Sequence, residues 1–146
     1  MDPLIKLESQ GLADRYYQIC EEHPLRFDEP IGKMSAREVL EAAEGTIDIA
    51  TLKGPGRVYE VQDLPDSIYL KFVIQTEVTV EAHLQLDAIA EPHLWSFATI
   101  CRAAKEASGA EMPDPAYPRP TAHSASELME VFTKLRQLAL EFDRSM

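Results

Sequence analysis

Hydrophobic positions run at a helical period in the first part of the chain, alternate through the middle, and return to a helical period towards the end. Leu12, Tyr16, Ile19 and His23 recur at i, i+4, i+7 and i+11, one face of a helix that ends near Glu22. Asp2-Pro3 offers an early start and Gly11 an interruption, and the pattern leaves both open. Pro24 stops the element, because proline cannot continue the hydrogen-bond ladder. Leu25 to Met34, carrying Pro30 and Gly32, reads as a loop. Ser35-Ala36-Arg37-Glu38 is then a capping box, with Val39, Leu40 and Ala43 as a short apolar face and Gly45 placed for a left-handed C-cap.

After Gly45 the apolar positions alternate. Thr46 to Leu52 and Arg57 to Gln62 read as strands joined by Lys53-Gly54-Pro55-Gly56, a hairpin with a longer turn. Turn chemistry accounts for that Gly-Pro-Gly better than a phosphate loop, since it lacks the Lys-Ser/Thr ending and a following helix. The strongest alternation spans Ile68 to Leu86. Ile68, Leu70, Phe72 and Ile74 share a parity with Val78, Val80, Ala82, Leu84 and Leu86, so all nine are expected to line one buried surface. One unbroken strand there would run about 60 Å, too long for a small domain. A bend, bulge or reversal is therefore expected near Gln75-Thr76, although neither glycine nor asparagine marks a tight turn.

Helical periodicity resumes over Glu91 to Ala107. Pro92 suits its first position, Leu94, Phe97, Cys101 and Ala104 form its apolar face with Ile100 beside them, and Gly109 ends it. Residues 110–120 hold Pro113, Pro115, Pro118 and Pro120 and predict a stiff, extended connector. The last helix opens with a second capping box, Ser124 to Glu127, and runs through Leu128, Phe132, Leu135, Leu138, Ala139 and Phe142, with Glu130 and Lys134 spaced as an i, i+4 ion pair. The order predicts a single α+β domain over residues 1–146: an antiparallel sheet of three to four strands, with two N-terminal and two C-terminal helices packed on it.

Composition sharpens this frame. The 146 residues are 45% hydrophobic and 27% charged, as in an ordinary globular domain able to fold without disulfide or metal. The start, Met1-Asp2-Pro3-Leu4-Ile5-Lys6, lacks the basic and apolar regions of a secretory signal, which points to the cytoplasm. Cys20 and Cys101 are expected as small buried hydrophobes. Fourteen Lys and Arg against twenty-five Asp and Glu give a net charge of -11. Residues 1–63 hold 7 basic and 13 acidic side chains and the remainder 7 and 12, so the acidity belongs to the folded body. Such a surface repels phosphate backbones, and nucleic acid and anionic membrane are poor partners.

Signatures of chemistry are sparse. His23, His83, His93 and His123 lack metal-ligand spacing, the chain has no G-x-S-x-G elbow, dinucleotide fingerprint or P-loop, and no metal or cofactor is expected. Glu81 and His83 lie two apart on a strand and point the same way, among Glu77, Thr79, Gln85 and Asp87. That set reads as a polar sheet face rather than a metal or acid–base pair. Trp95 falls beside the apolar stripe of its helix, as a core edge or an interface anchor.

The most informative feature is a gap. No lysine or arginine occurs between Lys71 and Arg102, a window that holds Glu77, Glu81, Asp87 and Glu91. An uncompensated anionic sheet face would steer a basic partner, whereas a merely solvated acidic face would serve solubility. The leading expectation is a non-enzymatic protein-binding module, an immunity-type inhibitor of bacterial origin that occludes a basic partner such as a toxin. The partner-binding residues would be Glu77, Glu81, His83, Asp87 and Glu91, with Tyr69, Trp95 and Tyr117 as aromatic anchors. Two alternatives stand beside it: a secretion-type chaperone, commonly a homodimer, and a small enzyme or ligand-binding domain with a pocket between sheet and helices.

Overall fold

The computed structural model describes residues 2–31, 34–53, 57–75, 78–115 and 117–146. The first helical stretch is two helices, α1 (Pro3–Ser9) and α2 (Leu12–Glu22). Asp2 caps α1 by accepting the Leu4 N–H at 2.8 Å. Gly11 breaks the stretch with φ at 72°, a left-handed conformation that side chains resist. Both features of the start therefore operate at once. The Ser35 hydroxyl caps α3 (Ala36–Ala43) as expected, accepting the Glu38 N–H at 3.2 Å, but the Glu38 carboxylate accepts from that same hydroxyl at 3.2 Å rather than from the Ser35 N–H.

Strand β1 is shorter than the alternation suggests, Ile49–Leu52, because the Thr46 and Ile47 N–H groups are both spent on the Ala43 carbonyl at the end of α3. It pairs antiparallel with β2 (Arg57–Val61); the Gly54-Pro55-Gly56 turn lies outside the described residues. The long alternating stretch is two antiparallel strands, β3 (Ile68–Ile74) and β4 (Val80–Leu86), with Ile74 opposite Val80. All nine positions of the predicted apolar parity are buried. Just before β4 a left-handed position, φ 56°, is filled by Val78 rather than by glycine, so it left no glycine signal in the sequence. The Val78 carbonyl accepts the Ala122 N–H at 3.1 Å, which helps hold it there.

The four strands form one antiparallel sheet in sequence order, β1-β2-β3-β4. Helices α4 (Phe97–Ser108) and α5 (Ala125–Arg144) lie on its apolar face. Phe132 of α5 stacks on Phe72 at 4.1 Å and meets Tyr59 at 6.0 Å, aromatic packing worth about 0.5–1.5 kcal/mol per pair beyond simple burial. Helix α1 packs on α4, α2 on both α4 and α5, and α3 on α5 and β1. This is an α+β fold, with N-terminal and C-terminal helices flanking the sheet. No helix among the described residues is long and apolar enough to cross a membrane.

Two local expectations are corrected. The helix expected from Glu91 is a short 3-10 turn, Pro92–Leu94, followed by a break at Trp95-Ser96, and α4 starts only at Phe97. The Trp95 carbonyl accepts the Leu84 N–H of β4 at 3.3 Å, so it is not free to continue a helix. The Ser96 hydroxyl then caps α4 through the Thr99 N–H. On α5, Lys134 does not pair with Glu130. Its ammonium meets His23 Nε2 at 2.9 Å and Glu22 at 3.6 Å, across the α2–α5 contact.

Candidate functional site

The face of the sheet turned away from α4 and α5 carries the residues singled out from sequence. Alternation sends Tyr69, Lys71 and Val73 of β3 and Glu81, His83 and Gln85 of β4 to that side, all half-buried while their neighbours in sequence are fully buried. Register sets Tyr69 opposite Gln85, Lys71 opposite His83 and Val73 opposite Glu81. The Tyr69 hydroxyl donates to Glu60 of β2 at 2.8 Å. Burial, reinforced by the Lys71 ammonium, holds the His83 imidazole below its ordinary pKa against the opposing pull of Glu81. His83 is therefore neutral at pH 7.

This face is not bare of positive charge. Glu81 makes an ion pair with Arg119, and Lys71 sits one strand away. The gap in basic residues between Lys71 and Arg102 is filled from outside the window. The Pro-rich connector returns along the edge of β4, where Val80 N–H donates to the Pro120 carbonyl at 2.9 Å and Thr79 bridges Thr121, and it brings Arg119 with it. Glu77 lies outside the described residues.

The carboxylates left without a described cation sit where the strands end. Asp87 and Glu91 are exposed after β4, and the Asp87 N–H donates to the Ser67 carbonyl at 3.1 Å, which sets Asp87 beside the turn bearing exposed Asp66. Trp95, 37% exposed, stands at the β4 edge level with Leu84, close to this acidic end. Tyr117 does not join the group. It is 43% exposed, and the Arg102 guanidinium lies 4.5 Å over its ring and hydrogen-bonds its hydroxyl. The structure thus brings Tyr69, Glu81 and His83 onto one face, places Asp87, Glu91 and Trp95 at its margin, and sets Tyr117 on the connector, against Arg102 of α4.

The connector roofs a cleft of about 470 Å³ lined by Tyr17, Cys20, Thr79, Pro113, Pro115, Pro118 and Arg119 among others. Tyr16 anchors it from below, donating its hydroxyl to the Pro118 carbonyl at 2.8 Å while its ring stacks on Phe97. Burial pushes the Cys20 thiol up to about 12, so it stays protonated and is a poor nucleophile. Neither His83 nor His93 lines this cleft.

One polar cluster escapes sequence reading altogether. His23 and His123, both buried, converge on Glu127 at the start of α5. Glu127 accepts from His23 Nδ1 at 2.9 Å, from the His123 backbone N–H at 2.7 Å and from the Arg26 guanidinium at 3.0 Å. His123 Nε2 accepts the Arg26 backbone N–H at 3.1 Å, and His23 Nε2 faces Lys134. The Arg26 guanidinium also lies 3.0 Å from His123 Nδ1, so every ring nitrogen of the pair has a polar neighbour. Burial would raise the Glu127 carboxyl, but these donors together bring it down to about 2. The cluster fastens the end of α2, the following loop and the connector to α5. Its groups are engaged with each other, and among the described residues no three His, Cys, Asp or Glu side chains are arranged to hold a metal ion. His123 and Glu127 at i, i+4 on a helix start, with His23 just before Pro24, are the only sequence traces of it.

The chain matches no family model, no curated protein and no solved structure.

Proposed function

We propose that this chain is an acidic protein-binding module, an inhibitor of the immunity type that occludes a basic partner. The observation that carries the reading is the end of β4, where exposed Asp87, set beside the turn of Asp66, and exposed Glu91 have no described cation upon them, and half-exposed Trp95 follows at the β4 edge level with Leu84. Carboxylates in that state keep their full field, which draws in a positive surface and speeds association. Tryptophan at the edge of such a patch supplies a large, rigid anchor of the kind that dominates binding energy. Neutral His83 and half-buried Tyr69 extend the contact surface without adding positive charge. Glu81 contributes less than its position promises, since Arg119 already neutralises it.

Capture from the native host tests the reading. Wild-type protein, and a variant carrying Asp87→Lys, Glu91→Lys and Trp95→Ala, are used as bait at physiological salt. The expected result is a basic protein held by the wild type and lost by the variant, released from the wild type as salt rises, and inhibited in its own activity while bound. Equal capture by both baits contradicts the proposal.

A further inference from the structure

The two edges of the sheet are finished differently. Along β4, the connector bonds to Val80 and Val78 and the Trp95 carbonyl takes the Leu84 N–H, so foreign strands meet an occupied edge. Along β1 the only strand pairing among the described residues is with β2. Gln62 N–H donates to the Asp48 carbonyl at 2.9 Å, which fixes the phase of the ladder: Asp48, Ala50 and Leu52 turn their backbone groups to β2. Ile49 and Thr51 therefore turn both N–H and C=O to the free edge, where no described group bonds them. Open edges of this kind are templates for another strand.

Beside the start of that edge lies a cleft of about 480 Å³. Its floor is apolar, from Leu40, Ala43, Ile47 and Ile49, and its rim is acidic, from exposed Glu44 and Asp48. Asp63 and Arg136 line it too, paired with each other at 3.2 Å, so their charges offset and Glu44 and Asp48 carry the net charge of the rim. An aliphatic stem ending in a cation fits both parts, the stem on the floor and the charge at the rim, which describes lysine or arginine. We infer that the β1 edge receives an extended basic segment of a partner protein by strand addition, with one Lys or Arg side chain seated in this cleft. The surface lies across the sheet from Trp95, and the inference goes beyond the proposed function without depending on which protein occupies that other margin.

The test uses a fluorescein-labelled peptide of alternating lysine and valine. Anisotropy is expected to report saturable binding, and proton exchange at the Ile49 and Thr51 amides is expected to slow when the peptide is present. A peptide of the same composition, N-methylated on alternate amides so that one edge cannot pair, should bind about ten-fold more weakly. Thr51→Pro removes an outward N–H without touching the β1–β2 ladder and should weaken binding similarly. Should that variant fail to fold, Asp48→Lys and the wild-type exchange data carry the test. Equal binding of the methylated peptide, binding without protection at Ile49 and Thr51, or no binding overturns the inference. So does sedimentation showing that the edge is taken by a second copy of the chain. Binding that depends on salt but not on backbone pairing would overturn strand addition and leave the acidic-module reading standing.

Discussion

Glu127 and the pair Asp87 and Glu91 show two opposite uses of a carboxylate in one acidic chain. Glu127 sits at the start of α5 with His23, His123 and Arg26 all donating to it, and its position ties three segments together. Asp87 and Glu91 stand in solvent at the end of β4 with no described cation. Burial alone would penalise Glu127, so its donors are what make the arrangement favourable. The exposed pair carries no such obligation, and its charge is available to something outside the chain. Folding accounts for the first kind of carboxylate and leaves the second unexplained.

Stability measurements sharpen that contrast. Replacing Glu127 by Ala strands two buried imidazoles and leaves the Arg26 guanidinium with Glu29 alone, and is expected to lower unfolding free energy by about 3 kcal/mol in urea titrations, the largest effect of any acidic position. Lys105→Ala comes next, at about 2 kcal/mol, because the buried ammonium of α4 holds Glu8 of α1 at 2.7 Å and also binds Asp14 of α2. Acid gives a smaller, graded effect. The Glu127 pKa lies near 2 in the folded state against an ordinary 4.5, so its contribution is complete above about 4.5 and drains away as pH falls towards 2. Urea midpoints of wild type should drop between pH 5 and pH 3 more steeply than those of Glu127→Gln. Asp87→Lys with Glu91→Lys should move stability by no more than about 0.5 kcal/mol, since neither side chain holds anything in place. A destabilisation as large as that of Glu127→Ala would erase the distinction.

How much of this was legible in the sequence differs by region, for physical reasons. The parity from Ile68 to Leu86 read out both strands and their buried side, because alternation is a local property of the chain. The hydroxyls of Ser35 and Ser124 announced their helices, and each accepts the N–H three residues on. Where a long-range bond decides, local reading failed. The Leu84–Trp95 bond splits the expected helix at Trp95, and contact of α2 with α5 draws Lys134 from Glu130 to His23. Glu127 looked like a capping-box glutamate, yet its carboxylate takes the backbone N–H of His123, one residue before the cap, and collects partners from far along the chain. The site fared in between. Strand alternation put Glu81 and His83 on one face, but register, which adds Tyr69 opposite Gln85, was not legible, and Arg119, arriving by the connector, removed the assumed absence of positive charge there.

The central claim, that the acidic margin around Asp87, Glu91 and Trp95 is where a basic partner sits, is tested most directly by amide hydrogen exchange on the captured complex. The account predicts slowed exchange across residues 82–96 on binding, absent when the bait carries Asp87→Lys and Glu91→Lys. Protection confined to other surfaces, with residues 82–96 exchanging as in the free protein, would contradict it.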